Sequence, residues 1–259
     1  MLGHDRARRA DGKFLIRIED LDPGRCRPEY VAGIFEDLNW LGLVPDEAPI
    51  IQSERIAAYT GALDRLKAGG LVYPCFCTRA DIAASLSAPH GHAGTYQGTC
   101  RAMPDDPARR AATAHSWRLN SARAIALVGL PGWTEEDGSR FAAGRDDIDD
   151  VILARKDAPS SYHLACVVDD ADAGVTLVVR GADLRPSTPI QRLLQMLLGL
   201  PEPVYLHHPL VTHDDGRRLA KRDLAPTLAA MRAVGVDGPG LAEDLLARRL
   251  PLGFRLSPA

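Results

Sequence analysis

Phe14-Leu15-Ile16-Arg17-Ile18-Glu19-Asp20-Leu21-Asp22 is the stretch that decides how this chain is read. Four of the five residues from Phe14 to Ile18 are apolar, the pattern of a buried strand. The run then breaks into three carboxylates. In an open α/β sheet, ligands bind beyond the carboxyl ends of the strands, so Glu19, Asp20 and Asp22 mark a candidate site. The run begins at residue 14, which leaves little room ahead of it for an earlier strand and a ligand-binding turn.

Composition sets the frame around this stretch. The chain has 259 residues, 46% hydrophobic and 25% charged, an ordinary globular balance with material for one or two domains. No apolar run reaches the length of a membrane span. The basic segment Met1 to Lys13 runs into a charged strand end and does not read as a secretory signal, so a cytoplasmic location is expected. A net charge of −3 does not announce a nucleic-acid binder, but local basic patches remain at Arg6, Arg8, Arg9 and Lys13, and at Arg217, Arg218, Lys221 and Arg222. Taken alone, each patch reads as a solvated face.

Outward from the opening stretch, Pro28 starts a helix in which Val31, Ile34, Leu38 and Leu41 recur at helical spacing, and Gly42 ends it. A second helix is expected from Ser53, as N-cap, to Lys67, stopped by Gly69-Gly70. Leu71 to Tyr73 reads as a short strand. From residue 74 to 150 the texture changes to Ala, Pro, Gly and charged residues, as in an insertion. Strands are expected at Val151–Arg155, Leu164–Val168, Val175–Val179 and Val204–Leu206. Helices are expected at Pro189–Leu198, from Leu224 with Pro226 in its first turn, and at Leu241–Arg249. The chain is thus an α/β protein with a discontinuous main domain: 1–73, an insertion at 74–150, a return at 151–215, and a loop with C-terminal helices at 216–259.

Five cysteines, an odd number, argue against a disulfide framework. Cys26 and Cys166 stand alone, and Cys166 sits in an apolar run as a core residue. Cys75, Cys77 and Cys100 cluster within 26 residues, which fits a structural zinc site. The fourth ligand is open among Tyr96, His90 and His92, and chemistry alone favours an imidazole. The loop Asp214 to Asp223 carries four cations that could clamp phosphates, Lys221 as a mobile point charge. Tyr162 and Arg180 could share an anionic substrate. His163 reads as packed or capping, and Asp169 and Asp170 as turn or cap residues.

These segments, in order, resemble the glutamyl-tRNA synthetases of the class I aminoacyl-tRNA synthetase family. The resemblance rests on Gly12 to Asp22, Trp40-Leu41-Gly42-Leu43, Gln52-Ser53-Glu54-Arg55 and Tyr73 to Thr78. It continues through Tyr162 to Ala165, Val167 to Asp170, Val179 to Leu184, and Arg218 to Arg222. Arg218-Leu219-Ala220-Lys221-Arg222 falls where the family has a Lys-Met-Ser-Lys-Ser loop, with Arg218 in place of the first lysine and Ala220 in place of a serine. The chain stops soon after, without an anticodon-binding domain. Cys75-x-Cys77 with Tyr96-x-x-x-Cys100 is similar to the zinc site of the short paralogues, the glutamyl-queuosine tRNA(Asp) synthetases.

The resemblance implies a class I Rossmann-like parallel sheet lacking its first strand, with a zinc-containing insertion and a helical C-terminus. It implies Cys75, Cys77, Tyr96 and Cys100 as ligands of one structural Zn2+, with tyrosine displacing the imidazole preference. Glutamate is activated by ATP, with Mg2+ and without tRNA, and glutamyl passes to the queuosine base of tRNA(Asp). Glu19 holds the substrate ammonium group, Tyr162 and Arg180 complete the glutamate pocket, and Lys221 contacts ATP. The full-length enzyme is a monomer. The family's first strand and its His-Ile-Gly-His-like ATP motif would precede residue 1. Leu2-Gly3-His4 lies about two helical turns too close to Arg17 to be that motif. A mis-assigned start is the favoured explanation, and glutamate-dependent ATP–pyrophosphate exchange by the chain as written is expected to be very weak. The competing readings are a non-catalytic, zinc-stabilised tRNA-binding remnant and a fragment of an ordinary glutamyl-tRNA synthetase.

Overall fold

A computed structural model describes all residues except 23, 25, 79, 80, 82–95, 97, 218, 220–226, 252, 258 and 259. The described elements begin with α1 (Leu2–Arg9), β1 (Arg17–Ile18), α2 (Pro28–Trp40), β2 (Ile50–Ile51), α3 (Ile56–Ala68) and β3 (Val72–Cys75). Next come α4 (Pro107–Ala112), β4 (Ser116–Leu119), α5 (Ser121–Val128), β5 (Gly132–Thr134), β6 (Arg140–Ala142) and β7 (Ile152–Ala154). The remainder is α6 (Tyr162–Asp172), β8 (Leu177–Gly181), α7 (Thr188–Leu198), β9 (Val204–His208), β10 (Val211–His213), α8 (Leu228–Ala233), α9 (Gly238–Leu246) and β11 (Phe254–Leu256). The chain forms two compact units, one of residues 1–51, 178–185 and 205–259, the other of 52–177 and 186–204.

In the first unit the opening stretch is extended but pairs over only two residues, Arg17 with Ile50 and Ile18 with Ile51, in parallel. Its backbone is also bound ahead of that pairing, since Phe14 O and Ile16 O accept from Asp46 N–H and Ile50 N–H. Helix α2 makes the crossover between β1 and β2, with Pro28 in its first turn, and Gly42 follows in the left-handed region at φ +73°. Leu41, Leu43 and Ala242 form a core with Phe14, Leu38, Trp40 and Leu241 packed around it. Helix α9 starts three residues before the expected Leu241, because Asp237 caps it by accepting from Gly240 N–H at 3.1 Å. Strands β8 and β9, which lie mostly in this unit, pair with each other, and β10 pairs antiparallel with β11.

The second unit holds an antiparallel sheet, β3-β4-β7, a β5–β6 hairpin, and the helices α3, α6 and α7. Two expectations fail here. Leu164–Val168 is not a strand but the middle of α6, capped by Ser161. All five residues of that run are buried, so no solvent face interrupts it to reveal the helical period. Likewise α3 starts at Ile56 rather than at a Ser53 cap, because Gln52–Glu54 is a 3-10 turn. That turn and the first turn of α3 direct Gln52, Arg55 and Tyr59 onto Asp169 of α6. Gln52 Nε2 donates to the Asp169 carboxylate at 2.9 Å, Arg55 Nε at 2.6 Å, and Tyr59 Oη reaches both oxygens at 2.9 Å. Burial, and then the neighbouring Asp169, push the Tyr59 hydroxyl well above its ordinary value, so it stays a donor. Asp169 is therefore the buried link between α3 and α6 rather than a turn or cap residue.

Candidate functional site

Strand β3 delivers Cys75 to the sheet edge, and Cys77 follows two residues on, so both thiols reach the same side. Tyr96 and Cys100 come from the turn at Gly98, whose φ of +73° suits glycine. The sulfurs of Cys75, Cys77 and Cys100 lie within 4.8 Å of one another. Tyr96 Oη is 3.4 Å from the Cys75 Sγ and 3.5 Å from the Cys77 Sγ, and it accepts from Cys100 N–H at 3.0 Å. Three soft sulfurs and one oxygen in mutual reach fit a tetrahedral zinc ion. His90 and His92 lie outside the described residues.

The protonation of the cluster follows from its surroundings. Burial pushes the Cys77 thiol up to about 11. Burial acts the same way on Cys75, but hydrogen bonding from Tyr96, from the Cys77 backbone and from Arg118 outweighs it and sets that thiol below its usual value. Burial, then the two thiols, drive the Tyr96 hydroxyl upward. A bound cation would reverse the upward shifts. Behind the cluster, Asp150 is fully buried and accepts from Tyr73 Oη at 2.5 Å, Arg101 Nε at 2.6 Å and Ser121 Oγ at 2.6 Å. Arg101 adjoins Cys100, so this carboxylate ties the ligand turn to β3 and α5. A cavity of about 430 Å³ opens beside the cluster, lined by Cys75, Cys77, Arg118, Arg155 and Lys156 among others.

Of the expected substrate residues, Glu19 and Arg180 belong to the first unit and Tyr162 to the second. Glu19 directly follows β1; its carboxylate is exposed, 3.4 Å from Arg17 Nε, and its carbonyl accepts from Cys26 Sγ–H at 3.3 Å. Tyr162 is half-buried in the first turn of α6, edge-on to His163. Arg180 Nε donates to His207 Nε2 at 3.1 Å, and its guanidinium carbon lies 5.3 Å from the Tyr205 ring centre. Tyr205 and His207 stack nearly parallel. An Nε2 that accepts this bond carries no proton, so His207 holds Arg180 as a neutral ring. Sequence reading missed His207; its two-residue spacing from Tyr205 on β9 was the available signal. Lys221 and Arg25 lie outside the described residues, and in the basic loop Arg217 is paired with Asp215 at 2.6 Å.

Known proteins bear on these observations. The model of the class I tRNA synthetase (E and Q) catalytic domain matches residues 1–247. A glutamyl-Q tRNA(Asp) synthetase of Rhodobacter capsulatus is 42% identical over 248 residues, covering 91% of this chain and 88% of that one. Its counterpart in Nocardia farcinica is 45% identical over 88% of this chain and 71% of that one. Among solved structures, a glutamate-tRNA synthetase of Elizabethkingia anophelis superposes with a TM-score of 0.73 at 26% identity. It covers 85% of this chain, which spans about half of that longer protein, 48%. A glutamate tRNA ligase of Elizabethkingia meningosepticum, solved with its amino acid, matches equally well, with a TM-score of 0.73 and 48% of its length covered. By this agreement along nearly all of its length, the chain belongs to the glutamyl-Q tRNA(Asp) synthetase family, within the class I tRNA synthetases for E and Q.

Proposed function

We propose that this chain activates glutamate with ATP and transfers the glutamyl group to the queuosine base of tRNA(Asp). The observation that carries this reading is 42–45% identity, over about nine-tenths of the chain, to relatives of that name. In the first step the glutamate α-carboxylate attacks the α-phosphorus of ATP, forming glutamyl-adenylate and releasing pyrophosphate. In the second, an acceptor group on queuosine attacks the glutamyl carbonyl and AMP leaves. Neither step needs a covalent bond to the protein; positioning and charge stabilisation suffice.

Glutamate brings two carboxylates and one ammonium group. Arg180, held by His207, supplies a fixed cation for a carboxylate and Glu19 an anion for the ammonium group; Tyr162 is assigned to glutamate through the resemblance alone. Lys221 serves the ATP phosphates, which carry Mg2+. Cys75, Cys77, Tyr96 and Cys100 would hold one zinc ion whose part is structural, fastening the turn at Gly98 to β3. The full-length enzyme is taken to act in the cytoplasm as a monomer. The test is genetic, since it uses the gene as the cell expresses it. Deletion is expected to abolish glutamyl-queuosine in tRNA(Asp), read by mass spectrometry of nucleosides, while queuosine itself persists. Undiminished glutamyl-queuosine in the deletion strain would refute the assignment.

A further inference from the structure

Arg118 stands out among the buried charges of the second unit. It lies on β4 and is only 6% exposed. Its guanidinium carbon sits 3.8 Å from the centre of the Tyr96 ring. One terminal nitrogen donates to the Asp150 carbonyl oxygen at 2.7 Å, while the buried Nε has no hydrogen-bond partner among the described residues. The Asp150 carboxylate is occupied by Tyr73, Arg101 and Ser121, so the guanidinium, besides its hydrogen bond to the Cys75 thiol, is bonded to a carbonyl and not to a carboxylate.

Burying a guanidinium is expensive unless an opposite charge answers it. The candidate for that charge is the metal centre. Three thiolates and a phenolate around a divalent ion would leave two negative charges in excess, next to the buried guanidinium. The flat face of an arginine also does something an ammonium cannot, because it covers the ring of the ligand tyrosine and restricts its swing. Asp149 fixes the same residue from the backbone side, accepting from Tyr96 N–H at 3.1 Å. Outer partners of this kind orient metal ligands and tune affinity.

We propose that Arg118 is the positioning residue of the metal centre, clamping Tyr96 as the fourth ligand and balancing the charge of the loaded site. The proposal rests on the zinc reading given above and adds a residue that no spacing motif marks. It predicts a division of labour. The planar face acts through Tyr96, and the positive charge acts on the whole cluster.

The test uses the purified chain and zinc alone, with Arg118→Lys, which keeps the charge, and Arg118→Met, which keeps the stem. Folding is checked by circular dichroism, and zinc affinity is measured by chelator competition. Cobalt substitution reports the ligand geometry by its visible absorption. Arg118→Met is expected to weaken zinc binding by about 10- to 100-fold, the range for lost outer partners, and to shift the cobalt bands. Arg118→Lys should recover part of the affinity but not the band positions. In a Tyr96→Phe background, Arg118→Met should cost clearly less than it does alone. Wild-type affinity in both folded variants overturns the inference while leaving the zinc reading intact. Loss of fold in both at saturating zinc overturns it as well, since Arg118 would then hold the core and not the centre. A wild-type chain that binds no zinc removes the zinc reading and this inference together.

Discussion

Replacing Asp169 by alanine is the sharpest test of how the second unit is held together. Asp169 is fully buried, and so is Tyr59; Gln52 is 1% exposed. Removing the carboxylate leaves the Tyr59 hydroxyl and the Gln52 amide as buried donors without an acceptor, at about 1–3 kcal/mol each. Arg55 loses a partner at 2.6 Å but keeps Asp172 at 2.5 Å, and its side chain is 30% exposed, so its loss is screened and adds at most about 1 kcal/mol. The sum is about 4 kcal/mol, inside the ~3–5 kcal/mol found for breaking one side of a buried pair. That is a large part of the ~5–15 kcal/mol by which folded proteins are stable. Of the three tryptophans, Trp117 and Trp133 belong to the second unit and Trp40 to the first, so a Trp40→Phe background confines the fluorescence to the unit in question. With an m-value of about 2 kcal/mol/M, the urea midpoint should drop by about 2 M. Asp169→Asn, which keeps the shape and one acceptor oxygen, should drop it by roughly half as much. A shift below about 0.5 M for the alanine variant would refute the reasoning, because it would mean that the three donors find other partners at no cost.

Three further outcomes are expected. The purified protein should carry one equivalent of zinc by mass spectrometry, lost in Cys100→Ala, and a folded metal-free protein would eliminate the site. Gly238→Ala should destabilise the first unit by about 1–3 kcal/mol in thermal melts, because a Cβ there would overlap the backbone carbonyl of Trp40, which cannot step aside; unchanged melting would contradict that packing. Asp46 accepts from the Phe14 N–H at 2.7 Å and from Arg8 at 2.9 Å, and these two bonds hold its carboxyl below the ordinary carboxylate range. Its folded value being the lower one, the stabilisation is complete above that range and fades as pH falls beneath it. The protection factor of the Phe14 amide should fall on acidification below about pH 4 and become insensitive to pH in Asp46→Asn.

Local signals carried well where one element contained its own evidence. Pro28, a helical stripe and Gly42 bracket α2 without help from elsewhere. The Cys75-x-Cys77 pair with Cys100 announced a cluster that folding does bring together, because ligand spacing is a local constraint. Signals failed where the reason lay far along the chain. Asp169 looked like a turn residue because its partners Gln52, Arg55 and Tyr59 are more than a hundred positions away. His207 gave little hint because Arg180, the side chain it holds, is 27 residues upstream. Leu164–Val168 was misread because burial on every side erases the period that separates helix from strand. The opening stretch was legible as extended, but its apolar length overstated the pairing, which spans two residues.

The interleaving of the two units has a consequence for synthesis on the ribosome. The second unit is complete once Val204 has emerged, whereas the first must wait for its last strand, Phe254–Leu256, to pair with Val211–His213. Residues of α2 are thus among the last to find their partners: Trp40 waits for Val236, and Glu36 and Asp37 for Arg232. Such distant contacts close slowly and leave the apolar faces of the first helices open in the meantime. A nascent chain stalled short of its final helices should therefore hold a finished second unit and an unfinished first one.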